Sequence, residues 1–308
     1  MNIAASPAPP SLSYELYPPV NRAASESIFK SIEALESTDP DYVSVTYSGT
    51  HARRRASLEL IEHLIQNTRL RPLAHLTCVG ESKQSLENLI RHFISLGVRG
   101  VLALRGDLPS DPTEWRGEFP FARYLIELIR EVEADHSAAL AGGRLGVGVA
   151  AYPIQHPESP SFEHDVEVLL GKERSGANYA ITQVYFRPEE YTNLVTAARR
   201  AGVSIPIIPG VIPLSSTKRL DRLASMVGVD PDPLLAHALE TATSDAQRHT
   251  IGVNAAVNLA QRAFADGAPG VHLYTFNDHR GSLDVIEKLE LPRTRQLATN
   301  VWADRIAV

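Results

Sequence analysis

The stretch Gly100-Val-Leu-Ala-Leu-Arg-Gly-Asp107 sets the reading of this chain. Five apolar or small residues run without interruption and then give way to an arginine, a glycine and an aspartate. No polar residue alternates with the apolar ones, so the run suits a strand buried on both faces, as in a parallel sheet. The same design recurs at Leu12–Leu16, Tyr42–Tyr47, Pro72–Thr77, Leu145–Ala151, Tyr179–Gln183, Ile205–Pro209 and Val271–Thr275. The C-terminal edges of these runs carry Glu15, Thr46, His75, Arg105 with Asp107, Tyr152, Gln183 and Tyr274.

Segments of helical period separate the runs. Ala23–Leu35 places Ile28, Ile32 and Leu35 on one face, and Arg54–Gln66 repeats Leu58, Ile61, Leu64 and Ile65. Ser82–Leu96 is bracketed by a capping serine and by Gly97. Phe121–Val132, Ser161–Arg174, Pro188–Ala201, Ser216–Met226 and Ser282–Leu289 continue the series. Strand and helix alternating eight times predict an α/β protein, a (β/α)8 TIM barrel, whose chemistry gathers at the C-terminal ends of the strands. Pro231–Ala265 reads as extra helices inserted between strands 7 and 8. Residues 1–11, rich in Pro, Ala and Ser, read as a flexible arm, 12–291 as the barrel, and 292–308 as an extension with Trp302 as its anchor.

The competing fold is a doubly wound open sheet. Its signature is Gly-x-Gly-x-x-Gly between a first strand and a helix. Here Gly142-Gly-Arg-Leu-Gly-Val-Gly148 leads into a strand instead, and no helix opens on the glycines. They read as a loop entering a tightly packed strand.

Composition narrows the function. A net charge of −6 leaves no basic tract able to coat a nucleic-acid backbone. No apolar stretch reaches the roughly 20 residues of a membrane span. One cysteine, Cys78, permits no intrachain disulfide, which fits a cytoplasmic protein. The histidines lack metal-ligand spacing and paired cysteines are absent, so no metal is expected. Nothing in the sequence sets an oligomeric state.

Several strand ends invite chemistry. Glu15 lies among Tyr14, Leu16 and Tyr17. Such surroundings disfavour a charged carboxylate and raise its pKa toward that of a general acid. A salt bridge inside the barrel is the other reading. Arg105 and Asp107 flank a glycine that lets a ligand approach the backbone, or they form a capped turn with a local ion pair. Two prolines stiffen the loop bearing Tyr152 and His156. Gln183 offers a donor and an acceptor, suited to an amide-like heterocycle edge. His51-Ala-Arg-Arg-Arg55 fits a phosphate grip or a solvated helix face.

Taken in order, these segments resemble methylenetetrahydrofolate reductases of the bacterial single-domain type. The resemblance rests on Tyr14-Glu-Leu-Tyr-Pro-Pro19, Val43-Ser-Val-Thr-Tyr47, Ala74-His-Leu-Thr-Cys78, Ala103-Leu-Arg-Gly-Asp-Leu-Pro109, Ala150-Ala-Tyr-Pro153 with His156-Pro-Glu158, Gly176-Ala-Asn178 with Ile181-Thr-Gln183, Ile208-Pro-Gly-Val-Ile-Pro213 and Leu273-Tyr-Thr275. It implies reduction of 5,10-methylenetetrahydrofolate to 5-methyltetrahydrofolate by NADH or NADPH. It implies Glu15 as the acid, Asp107, Gln183 and Tyr274 as folate-binding residues, with Asp107 also tuning the reacting ring. Thr46, His75, Arg105, Tyr152, His156, Asp165 and Lys172 match positions around the family's flavin.

The sequence departs from that pattern where the family holds FAD. Val168 stands where relatives usually carry Asn, and Gly171 where they carry a basic residue. Phe121-Ala-Arg-Tyr-Leu125 replaces a Tyr-Ala-x-Asp-Leu pattern. Charge-assisted hydrogen bonds contribute about 1.5–3 kcal/mol each, so losing two or three implies weak or absent FAD and hydride transfer directly from the nicotinamide. Tightly bound FAD is the alternative, and a non-catalytic folate-binding barrel is another. Asp278, with Arg280 two residues on, also stands where relatives place an arginine for the folate tail.

Overall fold

A computed structural model describes residues 9–47, 51–108 and 117–291, apart from the side chain of Arg22. The arm up to residue 8 and the extension with Trp302 lie outside the described residues. The strands are β1 (Ser11–Leu16), β2 (Tyr42–Val45), β3 (Pro72–Thr77), β4 (Gly100–Leu104), β5 (Gly146–Ala151), β6 (Tyr179–Thr182), β7 (Ile207–Ile208), β8 (Gly210–Val211) and β9 (Gly270–Tyr274). All pairings are parallel, and the order is β7-β6-β5-β4-β3-β2-β1-β9-β8.

Only Pro209 separates β7 from β8, and that closes the cylinder. Proline has no N–H to give a ladder, yet its carbonyl still accepts from His272 N at 2.9 Å, and the Pro206 carbonyl accepts from Ala180 N at 2.8 Å. One bent stave therefore pairs with β6 on one side and β9 on the other. Counted this way the sheet is the eight-staved barrel that the sequence predicts.

The helices are α1 (Arg22–Glu36), α2 (His51–Asn67), α3 (Lys83–Leu96), α4 (Ala122–Asp135), α5 (Phe162–Arg174), α6 (Pro188–Ala201), α7 (Thr217–Val227), α8 (Pro233–Thr241), α9 (Asp245–Ala265) and α10 (His279–Leu289). Asn21, Ser82, Ser161, Ser216, Asp232, Ser244 and Asp278 cap their helices by accepting a backbone N–H. Residues 231–265 do not form one insertion. Helix α9 packs against both α6 and α10, so it belongs to the outer ring. The additional helices are α7 and α8, which share a small core with Val184, Phe186, Ile212 and Leu214 beyond the C-terminal ends of the strands.

The main core fills the space between strands and helices. A second, inside the cylinder, is built from Tyr42, Leu73, Leu102, Tyr179, Ile181 and Ile208. Gly148 belongs to it by omission: a Cβ there would lie 2.8 Å from the ring of Tyr179. The glycine-rich run thus ends in a packed strand. Among the described residues no helix is long and apolar enough to cross a membrane.

Candidate active site

Strand alternation decides what enters the barrel. On β1, Ser13 and Glu15 point inward, and on β9 so do His272 and Tyr274. Ser13 Oγ lies 2.8 Å from His272 Nδ1. Beyond this floor, at the C-terminal mouth, opens a cavity of about 770 Å³. Ligand sites of roughly 300–1,000 Å³ are usual, so two ring systems fit.

Glu15 forms part of the cavity wall and is only 5% exposed. Burial raises its carboxyl from 4.5 to about 7, although hydrogen bonds from Thr46 and Tyr17 oppose the rise. Thr46 Oγ1 donates to Glu15 Oε1 at 3.0 Å, and Tyr17 Oη donates to Oε2 at 3.3 Å. His75 Nε2 stands 3.9 Å from Oε1 and is buried without a hydrogen-bond partner among the described residues. Burial lowers His75 to about 4. At neutral pH the imidazole is therefore uncharged, and the contact is not an ion pair. The salt-bridge reading of Glu15 gives way to that of a protonatable acid.

Asp107 borders the same cavity and is exposed. Glu15 and Asp107 thus face one space from β1 and from the turn after β4. The turn needs Gly106, whose φ is +89° and whose Cβ would stand 3.2 Å from Thr77. Arg105 does not pair with Asp107. Its Nη2 reaches Glu158 Oε2 at 2.6 Å, joining the β4 and β5 loops. Gln183 also lines the cavity, with Oε1 accepting from Val184 N at 2.8 Å. The amide group remains as its donor toward a ligand. Tyr274 supplies wall through its ring, since its hydroxyl donates to the Thr182 carbonyl at 2.9 Å.

The remaining expected residues come together on the β5–α5 side. Tyr152 and His156 meet edge to face at 4.6 Å between ring centres. His156 N donates to Asp165 Oδ2 at 2.8 Å. Lys172 is buried, donates to the Ala150 carbonyl at 2.8 Å, and burial lowers its ammonium to about 8. All of these line the cavity. Thr46 alone of the expected set does not, and it acts on the cavity through Glu15.

Several neighbours were not expected from the sequence. Tyr17 and His272 lie two residues from Glu15 and Tyr274, so strand alternation was a signal that could have found them. Glu158 carried no signal for its pairing with Arg105. Phe121, Val168 and Met226 form an exposed apolar rim on the cavity, 53%, 41% and 63% accessible. Arg54, from the basic run, instead binds Glu81 and stands 5.8 Å over the Tyr47 ring. Arg280 is held by Asp278, Nη2 to Oδ2 at 2.9 Å and Nε to Oδ1 at 3.0 Å. No group of three His, Cys, Asp or Glu able to hold a metal ion occurs among the described residues.

A closed parallel α/β barrel with a buried, protonatable acid and a facing carboxylate at its C-terminal mouth defines an enzyme-type barrel. The family model for methylenetetrahydrofolate reductase matches residues 2–290, and the chain belongs to that family. It is 33% identical over 267 residues to the 5,10-methylenetetrahydrofolate reductases of Salmonella typhimurium and Escherichia coli, covering 86% of each chain. It is 26% identical over 292 residues to methylenetetrahydrofolate reductase (NADH) 1 of Arabidopsis thaliana, spanning 91% of this chain and 48% of that one. A Clostridium thermocellum protein that binds two copies of 5-methyl-5,6,7,8-tetrahydrofolic acid shares the fold, with a TM-score of 0.63 at 15% identity over 92% of this chain and 96% of that one.

Proposed function

We propose that this protein reduces 5,10-methylenetetrahydrofolate to 5-methyltetrahydrofolate, taking hydride directly from NADH or NADPH. Membership of the reductase family supports the overall reaction. The observation that carries the mechanism is Glu15, a carboxyl raised to about 7 in a cavity it shares with Asp107 and Gln183.

The bridge carbon between N5 and N10 is a poor hydride acceptor until the ring opens. Glu15 gives its proton to N10, the C–N10 bond breaks, and an N5 iminium cation forms. Hydride from C4 of the reduced nicotinamide then adds to that carbon, giving the methyl group and the oxidised nicotinamide. Glu15 takes a proton from solvent before the next turnover. An acid so placed contributes about 10²–10⁴-fold. Asp107 stabilises the cation and, with the Gln183 amide, orients the pterin. Holding donor and acceptor in one cavity supplies much of the remaining acceleration.

The family's FAD fits these walls poorly. Val168 presents no hydrogen-bonding group, and a side chain at Gly171 would meet open space. Lys172 and Asp165 are already bonded to the Ala150 carbonyl and the His156 amide. We therefore assign His75, Arg105, Tyr152, His156, Asp165 and Lys172 to the nicotinamide side of the cavity rather than to a resident flavin, with Thr46 acting behind them through its bond to Glu15. A soluble reduced nicotinamide as donor suits a cytoplasmic enzyme.

The test is oxidation of NADH or NADPH by the purified protein with and without methylenetetrahydrofolate. Folate-dependent oxidation with no added flavin is expected. Folate binding without turnover would support the non-catalytic barrel instead.

A further inference from the structure

The end of β1 is gripped by the turn that follows β9. Phe276 and Asn277 in that turn have φ of +47° and +60°. This left-handed backbone is unfavourable for residues other than glycine and persists where the surroundings impose it. Both side chains act on Tyr17. Tyr17 N donates to Asn277 Oδ1 and Asn277 Nδ2 donates to the Tyr17 carbonyl, each at 2.9 Å. One side-chain amide thus carries the β1–β9 pairing beyond the strands. The Phe276 ring stacks on the Tyr17 ring, 5.9 Å between centres and 17° between planes. Ser31 Oγ donates to the Asn277 carbonyl at 2.8 Å and ties the turn to α1. Thr275 Oγ1 accepts from Asn277 N at 3.0 Å and donates to the Glu15 carbonyl at 2.7 Å.

What this scaffold presents is a hydroxyl. Tyr17 Oη reaches Glu15 Oε2 at 3.3 Å, and both residues line the cavity. The other oxygen, Oε1, takes the Thr46 hydroxyl and stands next to His75. Oε2 is therefore the oxygen left for a substrate. An O–H···O bond usually measures 2.5–3.0 Å, so this one is slack and can tighten when charge develops on the carboxyl. The titratable groups facing the pair are His75 of β3 and Tyr274 of β9. Burial lowers the first to about 4 and raises the second, so both are neutral near pH 7. Asp107 borders the same cavity from the turn after β4. Burial and the nearby Glu15 raise the Tyr17 phenol, which keeps its proton throughout.

We propose that Tyr17 is a positioning residue for the acid: its hydroxyl, fixed by Phe276 and Asn277, bonds Glu15 Oε2 most strongly as the proton leaves for N10. This rests on the reading of Glu15 as the acid that opens the methylene bridge. The proton passes from Oε2 to N10, the C–N10 bond breaks, and its electron pair stays on nitrogen. Oε2 is left anionic, and Tyr17 donates to it without giving up its own proton. A bond stronger in the transition state than in the ground state speeds the chemical step and leaves substrate affinity alone.

The experiment compares the wild type with Tyr17→Phe, Asn277→Gly and the double variant. Each is assayed for kcat and KM with methylenetetrahydrofolate and NADH across pH. The Glu15 carboxyl is titrated by infrared difference spectroscopy, with Glu15→Gln as the blank and melting curves beside it. Tyr17→Phe keeps the ring and loses only the hydroxyl. It should lower kcat by about 10–100-fold, the range of one hydrogen bond to a charged group, with both KM values held. The infrared midpoint of Glu15 and the falling limb of the kcat profile should both move up, because the charged form loses a donor. Asn277→Gly tolerates the left-handed turn and removes the amide. It should lower kcat in the same sense, and the double variant should lose no more than Tyr17→Phe alone. An unchanged kcat or an unmoved Glu15 midpoint in Tyr17→Phe would overturn the proposal. So would a change confined to KM, or losses that multiply in the double variant. A wild type that never oxidises NADH in the presence of the folate would refute the proposed reaction, and the infrared midpoint would still decide whether Tyr17 governs the acid.

Discussion

His75 Nε2 lies 3.9 Å from Glu15 Oε1, and burial keeps both side chains toward their neutral forms. An unpaired charge at either position would be costly in this dry wall. The pair thus holds a proton on Glu15 near neutral pH without a cation to pull it off. This relationship gives the strand-end acid its use, and most expectations follow from it.

The rate should follow the protonated form of Glu15. With a carboxyl at about 7, kcat for nicotinamide-dependent folate reduction is expected to fall as pH rises through about 7. Glu15→Gln should fold, bind folate and lose about 10²–10⁴-fold in kcat, with that limb gone from the profile. A near-normal rate in the variant would remove Glu15 from its role.

Stability carries the same signature with a definite sign. Glu15 is raised from 4.5 to about 7, so between these values the folded protein binds more protons than the unfolded chain. Its contribution is fully present below about 4.5 and is lost as pH rises through 7. The loss is on the order of 3 kcal/mol. Glu15→Gln should therefore melt higher than wild type at pH 8, and the difference should shrink by pH 5. His75 runs the other way. Lowered from 6.5 to about 4, it opposes folding as pH falls through that window.

Thr46 donates to the charged form of Glu15 and holds the carboxyl below where burial alone would put it. Thr46→Val should move the descending limb of the pH–rate profile upward. Thr46→Ser, which keeps the hydroxyl, should return it. A limb that stays in place in Thr46→Val would show that the hydroxyl does not tune the acid.

The barrel interior leaves no room at Gly148. A methyl group there would press on the Tyr179 ring, which is fully buried. Gly148→Ala should cost about 1–3 kcal/mol, read as a lowered chemical-denaturation midpoint. Gly171→Ala, within α5 and in open space, should instead raise the midpoint, by about 0.4–1 kcal/mol of stability.

The strands were legible because they are uniformly apolar, and their ends because polar residues follow directly on them. Glu15, His75, Arg105, Asp107, Tyr152, Gln183 and Tyr274 were found in this way, and all border one cavity. The bend at Pro209 was hidden, since proline carbonyls on either side of β7 keep the ladder going across a gap in N–H donors. The ring helix α9 was hidden too, because periodicity reports an apolar face but not which neighbour covers it. Arg105 finding Glu158 rather than Asp107 depends on how two loops meet in space. Of the exposed apolar rim, Phe121 and Val168 stood out in the sequence only as departures from the family pattern, and Met226 looked like ordinary surface scatter until the cavity gathered the three.

Direct transfer from nicotinamide to folate is the claim on which the account stands, and isotope transfer tests it most closely. The protein, purified without flavin, would be given methylenetetrahydrofolate and NADH carrying deuterium at both C4 positions, in ordinary water. Reduced flavin exchanges its N5 hydrogen with water, whereas a hydride passed straight across does not. The account predicts one deuterium in the methyl group of each product molecule. An unlabelled methyl group, or turnover that appears only when FAD is added, would contradict it.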